Sequence, residues 1–280
     1  MTARRYENDE NERTDGRGDE GPVRAKRSLG QNFLVDENVC RKIVAALEIG
    51  SGDRVLEIGP GRGALTRWIE GSGPAAYTVL EKDERLAPLI AERWPDIDVR
   101  RTDALTFPWE TLEDGWKIAG NLPYNIGSKL IWDIVSRGRG WERCVFMVQH
   151  EVALRLTAAP STKDYGALTV WVRNYADTRY LFKVPPHVFR PQPKVDSAVV
   201  LFLPRPENTR PQCPRALSGL LRLCFQKRRK QLHNILKSLW SDSIDQWLEE
   251  QGLRRSDRPE NVAPEQFSAL SQIMKSHFPT

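Results

Sequence analysis

From Ala25 onward the chain alternates between short apolar runs and amphipathic stretches. Val39, Ile43, Val44 and Leu47 recur at helical spacing behind Asp36, a residue type suited to an N-cap, and Ser51-Gly52-Asp53 marks a turn. Val55 to Ile58 is an apolar run that ends in glycines, the pattern of a buried parallel strand. Ala64 to Ile69 begins a helix. Ala76 to Leu80 predicts a second strand and Leu86 to Arg93 a helix, with Ile97 to Val99 as a third strand and Trp116 to Ala119 as a fourth. A helix near Lys129 to Val135 and a strand at Cys144 to Val148 follow. Strands that alternate with helices predict an α/β fold, a parallel sheet covered on both faces. Such sheets bind ligands beyond the carboxyl ends of their strands.

The pattern changes after Glu151. A helix through Leu156 runs into a polar loop at Pro160 to Asp164. Leu168 to Val172, Tyr180 to Val184 and Ser197 to Leu203 then predict strands without full helices between them, so the sheet should end in an antiparallel hairpin. Pro204 to Pro214 holds four prolines and few apolar residues, which places a domain boundary there. The expected organisation is a tail over 1–24, an α/β domain over 25–205 and a smaller all-helical domain over 206–280.

Charge sharpens this division. The 280 residues carry 42 Lys and Arg against 37 Asp and Glu, net +5. Residues 1–24 hold five Arg and seven acids, so the remainder carries 37 basic and 30 acidic residues. The part expected to fold is the basic part, which suits a polyanionic partner. The acidic tail has no apolar run, so it reads as a disordered segment rather than a secretory signal or a mitochondrial transit peptide. Nothing approaches the length of a membrane span. Cys40, Cys144, Cys213 and Cys224 lie far apart with no Cys-x-x-Cys, so no metal site is expected and a reducing cytoplasmic compartment is the simplest reading.

Glu57-Ile58-Gly59-Pro60-Gly61-Arg62-Gly63-Ala64 follows a predicted strand and opens a predicted helix. Glycines there let a ligand approach the backbone, and a helix start adds free N–H groups. The spacing also fits a dinucleotide loop, and that reading stays open on the loop alone. Glu81 lies twenty residues after Gly61 and suits the two hydroxyls of a ribose. Asp103, after the third strand, suits an adenine amino group. Glu57 stands where the loop would meet a cationic ligand. Three carboxylates near one pocket fit a sulfonium that bears a ribose and an adenine better than they fit phosphates.

Asn121-Leu122-Pro123-Tyr124 follows the fourth strand. The exocyclic nitrogen of adenine is a poor nucleophile because its lone pair is delocalised into the ring. Two acceptors on its N–H groups favour a more tetrahedral nitrogen, and the Asn121 side-chain oxygen and the Leu122 carbonyl can supply them. Pro123 restricts Leu122 to extended backbone, which aims that carbonyl. Tyr124 offers a ring for the base to stack on, worth ~1–3 kcal/mol. No strong general base is needed, because the methylated nitrogen is acidic. Positioning is the main task. Alone, the motif also fits an ordinary Asn-Pro turn with a core tyrosine.

Further motifs fall at set intervals: Leu29-Gly30-Gln31-Asn32-Phe33-Leu34, Gln149-His150-Glu151-Val152-Ala153, Tyr165-Gly166, Phe189 to Ala198, and Phe225-Gln226-Lys227-Arg228-Arg229-Lys230. With the glycine loop, Glu81, Asp103 and Asn121 to Ile126, they resemble the ribosomal RNA adenine N6,N6-dimethyltransferase family, in particular its small-subunit branch. The resemblance runs from about Lys26 to the C-terminus. It implies a Rossmann-like class I methyltransferase sheet with S-adenosylmethionine as cofactor. Asn32, Leu34, Gly59, Glu81, Asp103 and Asn121 occupy matching cofactor positions, to which the residue reading adds Glu57, Gly61 and Gly63. The implied products are two adjacent N6-dimethyladenines near the 3′ end of small-subunit rRNA. The implied setting is a pre-30S particle in the cytoplasm, with the enzyme a monomer.

Within this resemblance, Asn121, Leu122, Pro123 and Tyr124 form the expected catalytic loop. Phe189 is either a second stacking face for the base or a core aromatic. The cluster Lys227, Arg228, Arg229 and Lys230, with Lys26 and Arg27, is expected to hold RNA phosphates, which positions RNA without reading its sequence. Trp240, Trp247 and Phe267 read as core. The chain departs from the family pattern at His150, where lysine is common, at Gly127-Ser128-Lys129 and at Arg173. Two other readings remain: a large-subunit rRNA methyltransferase that confers antibiotic resistance, and a non-catalytic RNA-binding factor of the same fold.

Overall fold

A computed structural model describes residues 23–26 and 29–278. Arg27 and all of the expected tail except residues 23 and 24 lie outside the described residues. The chain opens with β1 (Phe33–Leu34) and α1 (Glu37–Ala45), whose first turn is capped by Asp36 accepting from the Val39 N–H at 2.9 Å. The α/β alternation follows: β2 (Arg54–Ile58), α2 (Thr66–Glu70), β3 (Ala76–Glu81), α3 (Leu86–Arg93), β4 (Asp98–Arg101), β5 (Trp116–Asn121), α4 (Gly127–Arg137) and β6 (Trp141–Gln149). Next come α5 (His150–Thr157), α6 (Ala167–Arg173), β7 (Ala176–Val184), β8 (Phe189–Arg190) and β9 (Ser197–Pro204). Four helices complete the chain: α7 (Pro214–Gln226), α8 (Leu232–Leu236), α9 (Asp242–Glu250) and α10 (Pro264–Ile273).

The main sheet has seven strands in the order β4-β3-β2-β5-β6-β9-β7. The first five are mutually parallel, and β9 lies antiparallel between β6 and β7. The expected antiparallel ending is therefore present. The chain crosses from β2 to β3 on one side and later returns to β5 on the other. This reversal opens a crevice at the carboxyl end of β2.

Successive strand residues point to opposite faces, and the two cores follow from that. Ile118, Phe146 and Val200 pack with α4 to α6 on one face; Ala119, Val145 and Val199 pack with α1 to α3 on the other. The helices after residue 206 share the first of these cores. Leu217, Leu220 and Phe267 join it, and Asn174 donates to the Pro264 carbonyl at 2.9 Å.

One expected strand is a helix. Leu168 to Val172 lies within α6, although its β-branched and aromatic residues favour a strand locally. The Gly166 N–H donates to Thr169 Oγ1 at 3.1 Å and starts the helix. Trp171 stacks flat on Trp132 of α4 at 4.0 Å between ring centroids. Burial between α4 and α7 overrides the local preference.

Candidate active site

The crevice collects residues from the ends of four strands. Gly59 and Gly61 follow β2, Glu81 ends β3, Asp103 lies just past β4 and Asn121 ends β5. Asn32, Leu122, Pro123 and Tyr124 line the same cavity. The structure therefore brings these residues together from separate segments of the sequence.

The glycine loop is shaped by what it touches. Gly61 has φ +59°, and a Cβ there would lie 3.0 Å from the Phe33 ring. Gly63 has φ +84°, and its Cβ would lie 2.2 Å from Trp94. Both positions need the left-handed region and a missing side chain. The Gly61 N–H donates to Glu81 Oε2 at 3.2 Å, and the Asp83 N–H donates to Oε1 at 2.8 Å. The carboxylate is thus held at the cavity edge by backbone groups. Burial raises the Glu81 pKa, and these N–H bonds only partly oppose the rise.

Asp103 is oriented by two contacts. Oδ1 accepts from the Leu105 N–H at 3.0 Å and Oδ2 from the Lys82 ammonium at 2.7 Å. Burial pushes its pKa up, but the Lys82 bond, the Leu105 N–H and the charges of Lys82 and Lys129 outweigh it, so the carboxyl stays below its ordinary value. An ionised, acceptor-only group is what an adenine amino group requires.

The loop from Asn121 to Tyr124 is fixed from both sides. Asn121 Nδ2 donates to the Asn32 carbonyl at 3.0 Å, while the Leu122 N–H donates to the Met147 carbonyl at 3.0 Å. Asn121 Oδ1 and the Leu122 carbonyl meet no donor among the described residues. The Pro123 carbonyl accepts from the Ile126 and Gly127 N–H groups and so starts α4. The Tyr124 hydroxyl lies 2.7 Å from Ser197 Oγ, which anchors the half-buried ring at its far end. Two free acceptors thus stand beside one anchored aromatic ring.

Several expected residues play other parts. Glu57 is 1% exposed, and its Oε2 accepts from Thr66 at 2.8 Å and from the Tyr77 hydroxyl. It supports the loop from below instead of meeting a cation in the main cavity. Phe189 is fully buried in the core, paired through β8 with Leu34 of β1, so it is a core aromatic and not an exposed stacking face. Leu34 is likewise buried, and Gly63 faces Trp94; neither lines the main cavity. Both hold the walls that do.

The basic residues also divide. Lys26 Nζ lies 3.4 Å from Asp83, so it belongs to the strap, the segment whose residues Leu29 to Phe33 wall the crevice, and not to an open phosphate surface. Arg228 donates to the Lys163 carbonyl at 3.0 and 3.1 Å and pairs with Glu260 at 3.1 Å. Its guanidinium is already committed. Lys227, Arg229 and Lys230 are exposed.

Sequence reasoning missed Asp83. This carboxylate is 1% exposed and accepts from Gln31 at 3.0 Å, from Lys26 and, twice, from the Arg85 guanidinium at 2.7 and 3.0 Å. The Arg85 contact holds its pKa far below the ordinary range. It clasps the segment that supplies Leu29 to Phe33 to the cavity wall. The signal available was Gln31 in the motif before β1, which needs a partner.

The cavity fits S-adenosylmethionine on its own chemistry. One oriented carboxylate suits ribose hydroxyls, a second suits an adenine amino group, and glycine backbone leaves room between them.

Comparison with known proteins agrees. The family model described as ribosomal RNA adenine dimethylase matches residues 23–276. A protein named ribosomal RNA small subunit methyltransferase A from Maridesulfovibrio salexigens is 51% identical over 259 residues, covering 92% of this chain and 98% of that protein. The protein of the same name from Oleidesulfovibrio alaskensis is 52% identical, covering 90% and 92%. Among solved structures, a dimethyladenosine transferase from Plasmodium falciparum superimposes with a TM-score of 0.74 at 25% identity, covering 88% of this chain and 98% of that one. The 23S rRNA methyltransferase ErmE gives 0.68 at 28% identity, covering 87% and 100%. The chain belongs to the ribosomal RNA adenine dimethylase family.

Proposed function

We propose that this protein methylates the N6 amino groups of two adjacent adenines near the 3′ end of small-subunit rRNA, giving N6,N6-dimethyladenine. The setting is a pre-30S particle in the cytoplasm, with the enzyme acting as a monomer. The observation that carries the reading is the pair of free acceptors, Asn121 Oδ1 and the Leu122 carbonyl, next to Tyr124 in the cavity that holds Glu81 and Asp103. Relatives about half identical to this chain carry the small-subunit name, which favours that branch.

S-adenosylmethionine, when bound, supplies an electrophilic methyl group on a sulfonium. Glu81 and Asp103 orient its ribose and adenine. Asn121 and Leu122 accept the two N–H bonds of the target adenine and turn its nitrogen lone pair toward the crevice. Tyr124 stacks on the base and offsets part of the few kcal/mol needed to unstack it. With the donor bound, the N6 lone pair would take the methyl carbon as its bond to sulfur breaks, S-adenosylhomocysteine would leave as a neutral thioether, and the N6 proton would pass to water. Asn121 touches Asn32 on one side and the target on the other, so one residue sets the distance between the two reactants. Lys227, Arg229 and Lys230 hold RNA phosphates.

The test is methyl transfer from labelled S-adenosylmethionine to unmodified 30S particles, with 50S particles as control and the modified base mapped. Two adjacent dimethyladenines in small-subunit rRNA support the proposal. Label confined to 50S would move the target to the large subunit, the RNA named for ErmE. Methyl-donor binding without transfer to either particle would leave a binding factor.

A further inference from the structure

The motifs from Gln149 to Ala153 and from Phe189 to Ala198 do not line the cavity, yet together they build a second feature. The end of β6 and the loop before β9 enclose a groove of about 510 Å³, lined by Gln149, His150, Lys194 and Val195 among others. Its position is set by the sheet. Gln149 lies directly across the β6–β9 ladder from Ser197, and Ser197 Oγ is 2.7 Å from the Tyr124 hydroxyl. The groove therefore begins one cross-strand step beyond the residue that anchors the stacking ring.

Its chemistry suits a nucleotide. The Gln149 side-chain amide has no partner among the described residues, and such an amide reads adenine N6 and N7 with one donor and one acceptor. The His150 ring is steadied edge-on by Tyr180 at 6.0 Å between centroids. Val195 is 46% exposed and gives the groove an apolar edge. Both acids in the lining are already answered: Asp196 pairs with Lys183 at 2.8 Å, and Glu151 pairs with Arg155. Among the described residues Lys194 has no ion-pair partner, so its ammonium is free for a phosphate.

We propose that this groove is a second base subsite, holding the adenine next to the one being methylated. The proposal rests on the target-site reading above. Gln149 bonds the N6/N7 edge of the neighbour and Lys194 takes the phosphate beside it. Two adjacent adenines then occupy the two sites together, and a shift of the RNA by one nucleotide carries the neighbour from the groove into the methylation site. A dimethylated neighbour has no N6–H to donate to the Gln149 oxygen, so the subsite prefers an unmodified base and releases a finished one.

The experiment compares methylation of one adenine in 30S particles whose neighbouring position carries either adenine or uridine. The wild-type enzyme should act about tenfold more slowly on the uridine particle, from the lower part of the range for one bidentate base contact. Gln149→Ala should treat both particles alike, at the slower rate. Lys194→Ala, in an exposed loop, should raise KM on both particles and lessen its dependence on salt. Equal wild-type rates on the two particles, or discrimination that survives in Gln149→Ala, would overturn the proposal. Unchanged KM in Lys194→Ala would remove the phosphate contact. Absence of any transfer by the wild-type enzyme is a different result and counts against the target-site reading instead.

Discussion

The side-chain amide of Asn121 donates to the backbone carbonyl of Asn32 at 3.0 Å, across 89 residues of chain. One bond thereby joins the target loop to the strap that walls the methyl-donor site. It also fixes which end of the amide is an acceptor, because the nitrogen is occupied. Asn121→Ala should lower kcat for methyl transfer by about 10²–10³-fold, by analogy with removal of one preorganised polar group at a reacting centre. Asn121→Asp keeps an acceptor but sets a carboxylate against the Asn32 carbonyl, and should also be impaired. Single-turnover transfer with a circular-dichroism melt on each variant checks this; near-normal rates in both would sink the assigned role.

Asp83 should govern methyl-donor affinity without touching the donor. Its carboxylate gathers Gln31, Lys26 and Arg85 and so holds Leu29 to Phe33 against the cavity. Asp83→Ala leaves these partners without an acceptor. The expected result is a rise of about tenfold in the Kd for S-adenosylmethionine by calorimetry, equivalent to about 1.4 kcal/mol, with a smaller effect on RNA affinity.

Glu57 predicts a pH dependence of stability. Burial pushes its pKa up to about 7, while the Tyr77 and Thr66 bonds restrain the rise. A folded-state pKa above the unfolded value means that the folded protein binds the proton more tightly. Stability therefore falls as pH rises from about 4.5 to about 7 and levels off above. The change from this group is about 3 kcal/mol. Glu57→Gln should flatten that part of the curve in urea titrations at pH 5, 6 and 7.5. An unchanged slope would show that Glu57 ionises normally.

The basic cluster should separate into two behaviours. Alanine at Lys227, Arg229 or Lys230 should weaken RNA binding uniformly and reduce the slope of log affinity against log salt by about one per contact. Arg228→Ala should leave that slope unchanged and instead cost about 1 kcal/mol of stability, since its bonds run to Lys163 and Glu260. Filter binding at several salt concentrations, paired with denaturant melts, distinguishes them.

Gly63→Ala should destabilise the fold by more than about 1 kcal/mol. The new Cβ meets Trp94 at 2.2 Å and sits at φ +84°. Trp94→Leu on the same background should recover part of the loss, leaving the backbone strain.

The residues that sequence alone identified share a property. Glu81, Asp103 and Asn121 each end a strand or follow one closely, and strand ends are visible as the close of an apolar run. What was hidden depends on distant partners. Leu168 to Val172 has strand chemistry, but the Trp132–Trp171 stack and burial against α7 make it a helix. Phe189 sits in a motif that suggests a surface role, yet its pairing with Leu34 buries it. Lys26 and Arg228 look like free charges until Asp83, Glu260 and the Lys163 carbonyl are in place. Asp83 itself reads as one more acid in Glu81-Lys82-Asp83-Glu84-Arg85.

The ladder between Phe33–Leu34 and Phe189–Arg190 has a consequence for the order of synthesis. The strap that walls the crevice is translated before the strand that pins it, which comes more than 150 residues later. A nascent chain that has emerged only as far as β6 already carries the glycine loop, Glu81, Asp103 and Asn121, yet lacks the partner that holds Leu34 in place. The growing polypeptide should therefore remain unable to retain its cofactor until Arg190 has left the translating ribosome.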